Sequence, residues 1–417
     1  MAGLQKTLVL ELVSKYAEGL FQAGCSAHRL EESVTRVAHA YGHELDVLAL
    51  PSGVLLSLDG GDVTRLLRRA PGRYDTSRQN ALFTFAETIN LEVPSAIEGL
   101  KQLGQILEQP PPYSTRVRIL NSALAGAVFA VYLEGGWSEV LLGGAVGLSC
   151  GLTLAAAQYN HRLERMPELL ASVLGAAVAG MLGLFFPSCV VIAVMAGLLL
   201  ILPGMAFTIG VAEMANRNFL TGSVRLATTA WILVAMTFGA ALGSAVPELF
   251  GQVPEIQPTT LGLTAMVLCL PLVGTALSVH IQAPVREIPW VIASCAVALG
   301  SSRASRLIVE QEWLWSFIAA FAVGIFGNFC TRYRRLPSAA LTLAALYLLV
   351  PGSVGYRGLL AMVSGDTQKG LDMGLTMALR GAALVAGLVF ASLVLPPSAP
   401  SSRRQGAARQ LWHSERL

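Results

Sequence analysis

The amino-acid sequence predicts a mainly α-helical integral membrane protein, with ten transmembrane helices in a 5+5 inverted repeat behind a small α+β cytoplasmic domain. Three observations lead there. The 417 residues are 54% hydrophobic and 13% charged, with a mean hydropathy of +0.59; ordinary soluble chains carry about twice that charge. The charge is uneven, at about one position in five up to residue 115 and about one in ten beyond it. Finally, "LLLILPGMAF" (198–207) and "ALYLLVPGSV" (345–354) both close an apolar run with Pro-Gly, 148 residues apart. The same offset pairs Gly126 with Gly274, Gly204 with Gly352, Gly222 with Gly370 and Gly239 with Gly387. A recurring offset without gaps is an internal repeat.

The first 115 residues read as the soluble domain. Leu8, Leu12, Tyr16 and Leu20 are spaced for one face of a helix over 4–22, and Glu11, Lys15 and Glu18 interrupt what would otherwise resemble a signal peptide. Ser26 is placed to cap a second helix that stops at Gly42. "ELDVLAL" and "VLLSL" flank Pro51-Ser52-Gly53 as a hairpin, with a further short strand and loop in "DGGDVTRLLRRAPGRYD". Helices follow over 76–91 and 94–108, and Pro110-Pro111-Pro112 is a stiff linker.

Ten apolar spans come next. The first five, at 119–134, 138–157, 168–186, 188–203 and 222–246, fill a repeat over 116–259. The second five, at 260–280, 287–302, 313–331, 337–351 and 371–396, fill a repeat over 260–398. Most approach the ~20 residues that cross a bilayer. The fourth and ninth are short, and both stop at Pro-Gly. Residues 399–417, rich in Ser, Pro and Arg, read as a disordered cytoplasmic tail. Arginines cluster in the loops on the side of the N-terminal domain (Arg116/Arg118, Arg162/Arg165, Arg217/Arg225, Arg286, Arg332/Arg334/Arg335), which predicts both termini inside. Arg303, Arg306, Arg357 and Lys369 go against that pattern. Five is an odd number of crossings, so the second repeat enters from the opposite face, an architecture of secondary transporters.

"GCSAHRLEESVTRVAHAYG", the "LPSG" hairpin and "LLILPGMAFTIGVAEMANRNFLTGSVRLA" together resemble the threonine/serine exporter family. The resemblance covers nearly the whole chain. It implies an inner-membrane exporter of small hydroxy amino acids, driven by the proton motive force. A related two-subunit form, associated with dicarboxylate export, divides near the position equivalent to residue 260. The second repeat keeps Pro-Gly but has no counterpart of Glu213.

An amino acid needs donors for its carboxylate, acceptors for its ammonium and a path sealed from one side at a time. A helix broken in mid-membrane frees backbone groups of both kinds. Pro203, Gly204, Pro351 and Gly352 are therefore candidate pathway residues, with Thr208, Glu213, Asn216 and Arg217 after the first break and Arg357, Asp372 and Arg380 after the second. A charge inside a span costs at least ~2.5 kcal/mol and normally faces protein or a wet cavity. Glu213 and His280 are candidate proton carriers, and Asn121 and Asn328 neutral polar candidates. The bland alternatives are helix ends at the interface and structural ion pairs. Gly143/Gly147/Gly151 and Ala235/Gly239/Gly243 read as close-packing stripes.

The expected function is a secondary active exporter of threonine and serine working by alternating access. A dicarboxylate (succinate) exporter and a membrane-anchored sensor or enzymatic domain are the alternatives. No enzyme activity, cofactor or metal site is expected. "GLSCG" (147–151) matches a nucleophile elbow but lies inside a span, His39 and His43 straddle a helix end, and there is no Walker loop. The partners called for are a small-molecule substrate, protons and the lipid bilayer, with no nucleic acid; a homo-oligomer is compatible with the sequence.

Overall fold

The computed structural model describes residues 2–397 except 62, 70–71, 161, 253, 255, 258 and 335–337. The expected tail at 399–417 lies outside the described residues. The N-terminal domain comprises α1 (Ala2–Gln22), α2 (Ala27–Ala40), β1 (Leu45–Leu50), β2 (Gly53–Leu58), β3 (Val63–Arg68), α3 (Thr76–Leu91) and α4 (Ala96–Glu108). The strands form an antiparallel meander in the order β1-β2-β3, with Leu45 opposite Leu58 and Leu50 opposite Gly53. Helical spacing brings Leu12, Tyr16 and Leu20 of α1 onto Leu30, Val34 and Val37 of α2, Leu56 and Leu58 of β2, Leu82 and Ile89 of α3 and Leu103 of α4. Fully burying a large apolar side chain contributes about 1.5–3 kcal/mol. β3 is one of the two edge strands, and Arg65 and Arg68 on it discourage edge-to-edge pairing.

Twelve helices follow: α5 (Thr115–Tyr132), α6 (Trp137–Ala157), α7 (Pro167–Gly183), α8 (Val190–Leu198), α9 (Gly204–Ala215), α10 (Phe219–Glu248), α11 (Gly262–His280), α12 (Ile288–Arg306), α13 (Glu312–Arg334), α14 (Ser338–Leu349), α15 (Gly352–Val363) and α16 (Thr367–Val394). Among the described residues, six stretches are long and apolar enough to cross a membrane: α6, α10, α11, α13, the α14–α15 segment from 339 to 363, and α16. Trp231, Phe238, Leu268, Phe390 and Leu393 are exposed on such helices, as lipid-facing side chains would be.

Several contacts recur at the 148-residue offset. α5 packs on α6 as α11 packs on α12, and α7 on α10 as α13 on α16. A Cβ on Gly222 would lie 3.0 Å from the Gly210 carbonyl oxygen, and one on Gly370 would lie 2.8 Å from that of Gly358. Gly239 would meet the Leu169 carbonyl at 2.7 Å and Gly387 that of Phe317 at 2.6 Å. Backbone conformation follows the same rule: Glu134 and Gln282 are both left-handed without being glycine (φ 65° and 56°), and Arg217 (φ 65°) corresponds to Gly365 (φ 91°).

Gly204 lies against its own counterpart, because a Cβ there would meet the backbone of Gly352 at 2.8–2.9 Å. Gly204→Val should lower the thermal midpoint of the detergent-solubilised protein, by the about 1–3 kcal/mol of an overpacked core. Gly374→Ala, where a Cβ meets nothing within 4 Å, should leave the midpoint unchanged or raise it by removing a helical glycine. Equal melting of both variants would contradict this packing.

Candidate functional site

The two Pro-Gly pairs meet at the centre. α8 stops at Leu198, Pro203 takes the N-cap of α9 (φ −78°, ψ 31°), and Pro351 takes the same place before α15 (φ −81°, ψ 23°). Proline suits a helix start because it has no N–H to leave unpaired. Glycine next to it lets the two starts touch, backbone to backbone. Thr208 is buried and its hydroxyl donates to the Gly204 carbonyl at 3.1 Å.

A cavity of about 550 Å³ runs from beneath the N-terminal domain to Pro203. Its domain-side wall is the end of α1 with residues 72–75, and α5, α6 and the start of α7 form much of the rest. Polar groups along it include Arg118 and Asn121 of α5, Gln158, Glu168, Arg225 and His280. Asn121 donates to the Ala276 carbonyl at 3.0 Å, linking α5 to α11. His280 Nε2 is 3.1 Å from the Tyr347 hydroxyl. Burial pushes the Tyr74 phenol, which hydrogen-bonds Arg225, up to about 12, so it stays neutral at physiological pH.

The N-terminal domain is bonded to the helices at both sides of this cavity. On one side, Glu213 of α9 is buried, accepts from Arg225 Nε at 3.0 Å and from the Ala27 backbone N–H at 3.4 Å, and Thr221 donates to the Ala49 carbonyl at 3.2 Å. On the other, the Thr76 and Ser77 N–H groups donate to the Ile281 and Gln282 carbonyls at 3.0 and 3.1 Å, and Tyr113 donates to the Ala283 carbonyl at 2.8 Å.

One family model, for threonine/serine exporters, matches residues 11–246, and a second, "Threonine/Serine exporter, ThrE", matches 265–394. The chain belongs to the threonine/serine exporter family. Two fungal relatives are both named pheromone-regulated membrane protein 10. The Debaryomyces hansenii protein is 25% identical over 82% of this chain and 35% of its own length, and the Saccharomyces cerevisiae protein 23% identical over 92% and 54%. This chain thus spans about a third to a half of these relatives. No solved structure matches it.

Within this exporter-family chain the predicted residues separate into groups. Pro203, Gly204, Pro351 and Gly352 form the central junction, and Thr208 lies one turn along α9. Ser26 occupies the N-cap of α2 but makes no capping bond; the carboxylate of Glu213 reaches the first amide instead. Asn216 and Arg217 are exposed at the turn between α9 and α10, and Asp372 is exposed on α16. Arg380 is ion-paired with Glu312 across α16 and α13, with Arg357 in the same electrostatic neighbourhood. Asn328 donates to the Leu395 carbonyl at 2.8 Å. His43 pairs with Asp59 at 2.9 Å, and among the described residues no group of three His, Cys, Asp or Glu side chains could hold a metal. The sequence reading missed Arg73, Arg118, Glu168 and Arg225 as cavity residues. Arg118 and Arg225 had served only as orientation signals.

Glu287 is a further missed group, in the turn between α11 and α12 outside the spans. It is fully buried; one carboxyl oxygen accepts from Asn80 of α3 at 3.3 Å and the other has no hydrogen-bond partner among the described residues. Burial raises its pKa against the opposing effects of Arg286 and the Asn80 bond, and Tyr113 also faces it. The docked state therefore holds this proton more tightly than an undocked one. Docking should be strongest at low pH and weaken as pH rises through the raised pKa. Hydrogen exchange of the Thr76 and Ser77 amides, corrected for intrinsic rate, should show protection falling with pH in the wild type and staying level in Glu287→Gln.

Proposed function

We propose that this chain is a secondary active exporter of threonine and serine, coupled to protons and working by alternating access. The observation that carries it is the cavity that begins under the N-terminal domain and ends at the break between α8 and α9, against which the second break packs. Broken helices lining a wet cavity are where transporters of this type bind substrate. We read α8–α9 and α14–α15 as single interrupted spans, so that each half crosses the bilayer five times and the halves are inverted. The recurring glycine contacts, the proline N-caps and the left-handed residues at one offset support that reading. So does the N-terminal domain lying at the cavity end, which we place with both termini on the cytoplasmic side of the inner membrane. The proton carrier we favour is His280, on the cavity wall; Glu213 is already engaged by Arg225.

On the same reading, the repeat points to an opposite mouth. The counterpart of Gln282 is Glu134, and that of Ala155 on the cavity wall is Arg303. Arg303 lies 3.9 Å from the Glu134 carboxylate and also touches Met266, whose carbonyl accepts from Tyr132 at 3.4 Å. On this reading the far side is closed while the near side is open to the domain. The same family placement supports a transporter over an enzyme. The several arginines along the cavity favour a second reading, a dicarboxylate such as succinate.

Radiolabelled L-threonine and L-serine flux in proteoliposomes, with and without a proton gradient and with succinate as competitor, separates the two. Gradient-dependent flux blocked by unlabelled threonine but not by succinate is expected. Flux blocked only by succinate would transfer the chain to dicarboxylates, and an absence of flux for all three would remove the transport reading.

A further inference from the structure

Three charged side chains of the cavity remain once internal pairing is accounted for. Arg225 is taken by Glu213, and Asp75 caps α3 through the Arg78 N–H at 2.9 Å and faces the Arg78 guanidinium. Arg73, Arg118 and Glu168 line the same cavity, and none of their side chains has a hydrogen bond or ion pair among the described residues. Arg73 and Arg118 are close enough to repel each other, and both act on His280. Arg73 and Glu168 both act on Cys150 of α6, which lines the same cavity. Two like charges and one opposite charge lining one cavity suit a ligand of the inverse pattern.

Arg73 belongs to the N-terminal domain and Arg118 to α5. The segment carrying Arg73 is held in place: the Asp75 N–H donates to the Ala23 carbonyl at 3.1 Å, and Thr76 and Ser77 bond the α11–α12 turn. Gly24, at φ 75°, lies with its Cβ direction 3.1 Å from the Arg73 carbonyl oxygen, so a side chain there would push the segment away.

Resting on the exporter reading above, we propose that Arg73 and Arg118 jointly bind the carboxylate of an α-amino acid whose ammonium is taken by Glu168. The N-terminal domain is then part of the substrate site, and Glu168 is the residue that distinguishes an amino acid from a dicarboxylate. Guanidinium groups suit this role because their forked donors match a carboxylate. A bound carboxylate also relieves the repulsion between the two arginines, so occupancy draws the domain onto α5.

The test is equilibrium binding of labelled L-threonine to the purified full-length protein, with succinate as competitor. Arg73→Gln and Arg118→Gln should each weaken threonine binding at least tenfold, and Arg118→Lys should recover part of the loss. Glu168→Gln should weaken threonine at least tenfold while leaving succinate unchanged or improved. Arg116→Gln, exposed on the same helix, should behave as wild type, and thermal melts of every variant identify any that misfold. Wild-type threonine binding that persists undiminished in folded Arg73→Gln and Arg118→Gln, or in Glu168→Gln, overturns this site and leaves the exporter reading standing. A wild type that binds neither threonine nor succinate overturns both.

Discussion

Inside a bilayer a backbone polar group without a partner costs several kcal/mol, and this fold places two helix breaks in its apolar part. The contact between Gly204 and Gly352 makes that tolerable. Each break is shielded by the other, each has a proline that has no donor to lose, and the first borders a cavity in place of lipid. Everything around the junction follows from the need to bring two backbones together. Small residues at Gly126, Gly143, Gly147 and Gly197 let α5, α6 and α8 close on one another, and a larger residue at any of them would move the breaks apart.

The N-terminal domain is fastened to both halves of the helical part by bonds that are mostly main-chain at one end. The α2 start borrows its cap from α9, and the α3 start donates to the turn after α11. Such bonds are individually worth about 0.5–1.5 kcal/mol, yet they act on helix termini, where amides have no partner of their own. The domain therefore completes its own helices by docking, which makes its position part of its fold.

Much of the architecture was legible in the sequence. Hydrophobic periodicity and end signals located the helices of the N-terminal domain, turn residues located the hairpin, and the shared offset singled out Pro203 and Pro351, but not that the two would touch. The cavity residues were less accessible, for a physical reason. Arg73 sits in a loop and Arg118 and Glu168 near helix starts, where charge is ordinary and signals only proximity to water. Their significance comes from three separate elements converging and from the absence of partners, and neither is encoded in any local pattern. Arg380 shows the reverse: conspicuous in an apolar helix, it is answered by Glu312 on the neighbouring one. Glu213 and Arg225, twelve residues apart, could be seen as charges near a turn, but the amide of Ala27 could be found only in three dimensions.

The left-handed turns at Glu134 and Gln282 carry a last consequence. They are the same turn in two copies, but one presents a carboxylate to Arg303 and the other offers a carbonyl to the Ser77 amide. The ion pair is half exposed and so worth about 0–1 kcal/mol, screened by dissolved salt; the amide contact is indifferent to ionic strength. The two ends of the molecule are thus unequal in their response to the medium. Added electrolyte loosens the Glu134–Arg303 contact and spares the Ser77–Gln282 one, so two turns of the same backbone shape answer the medium differently.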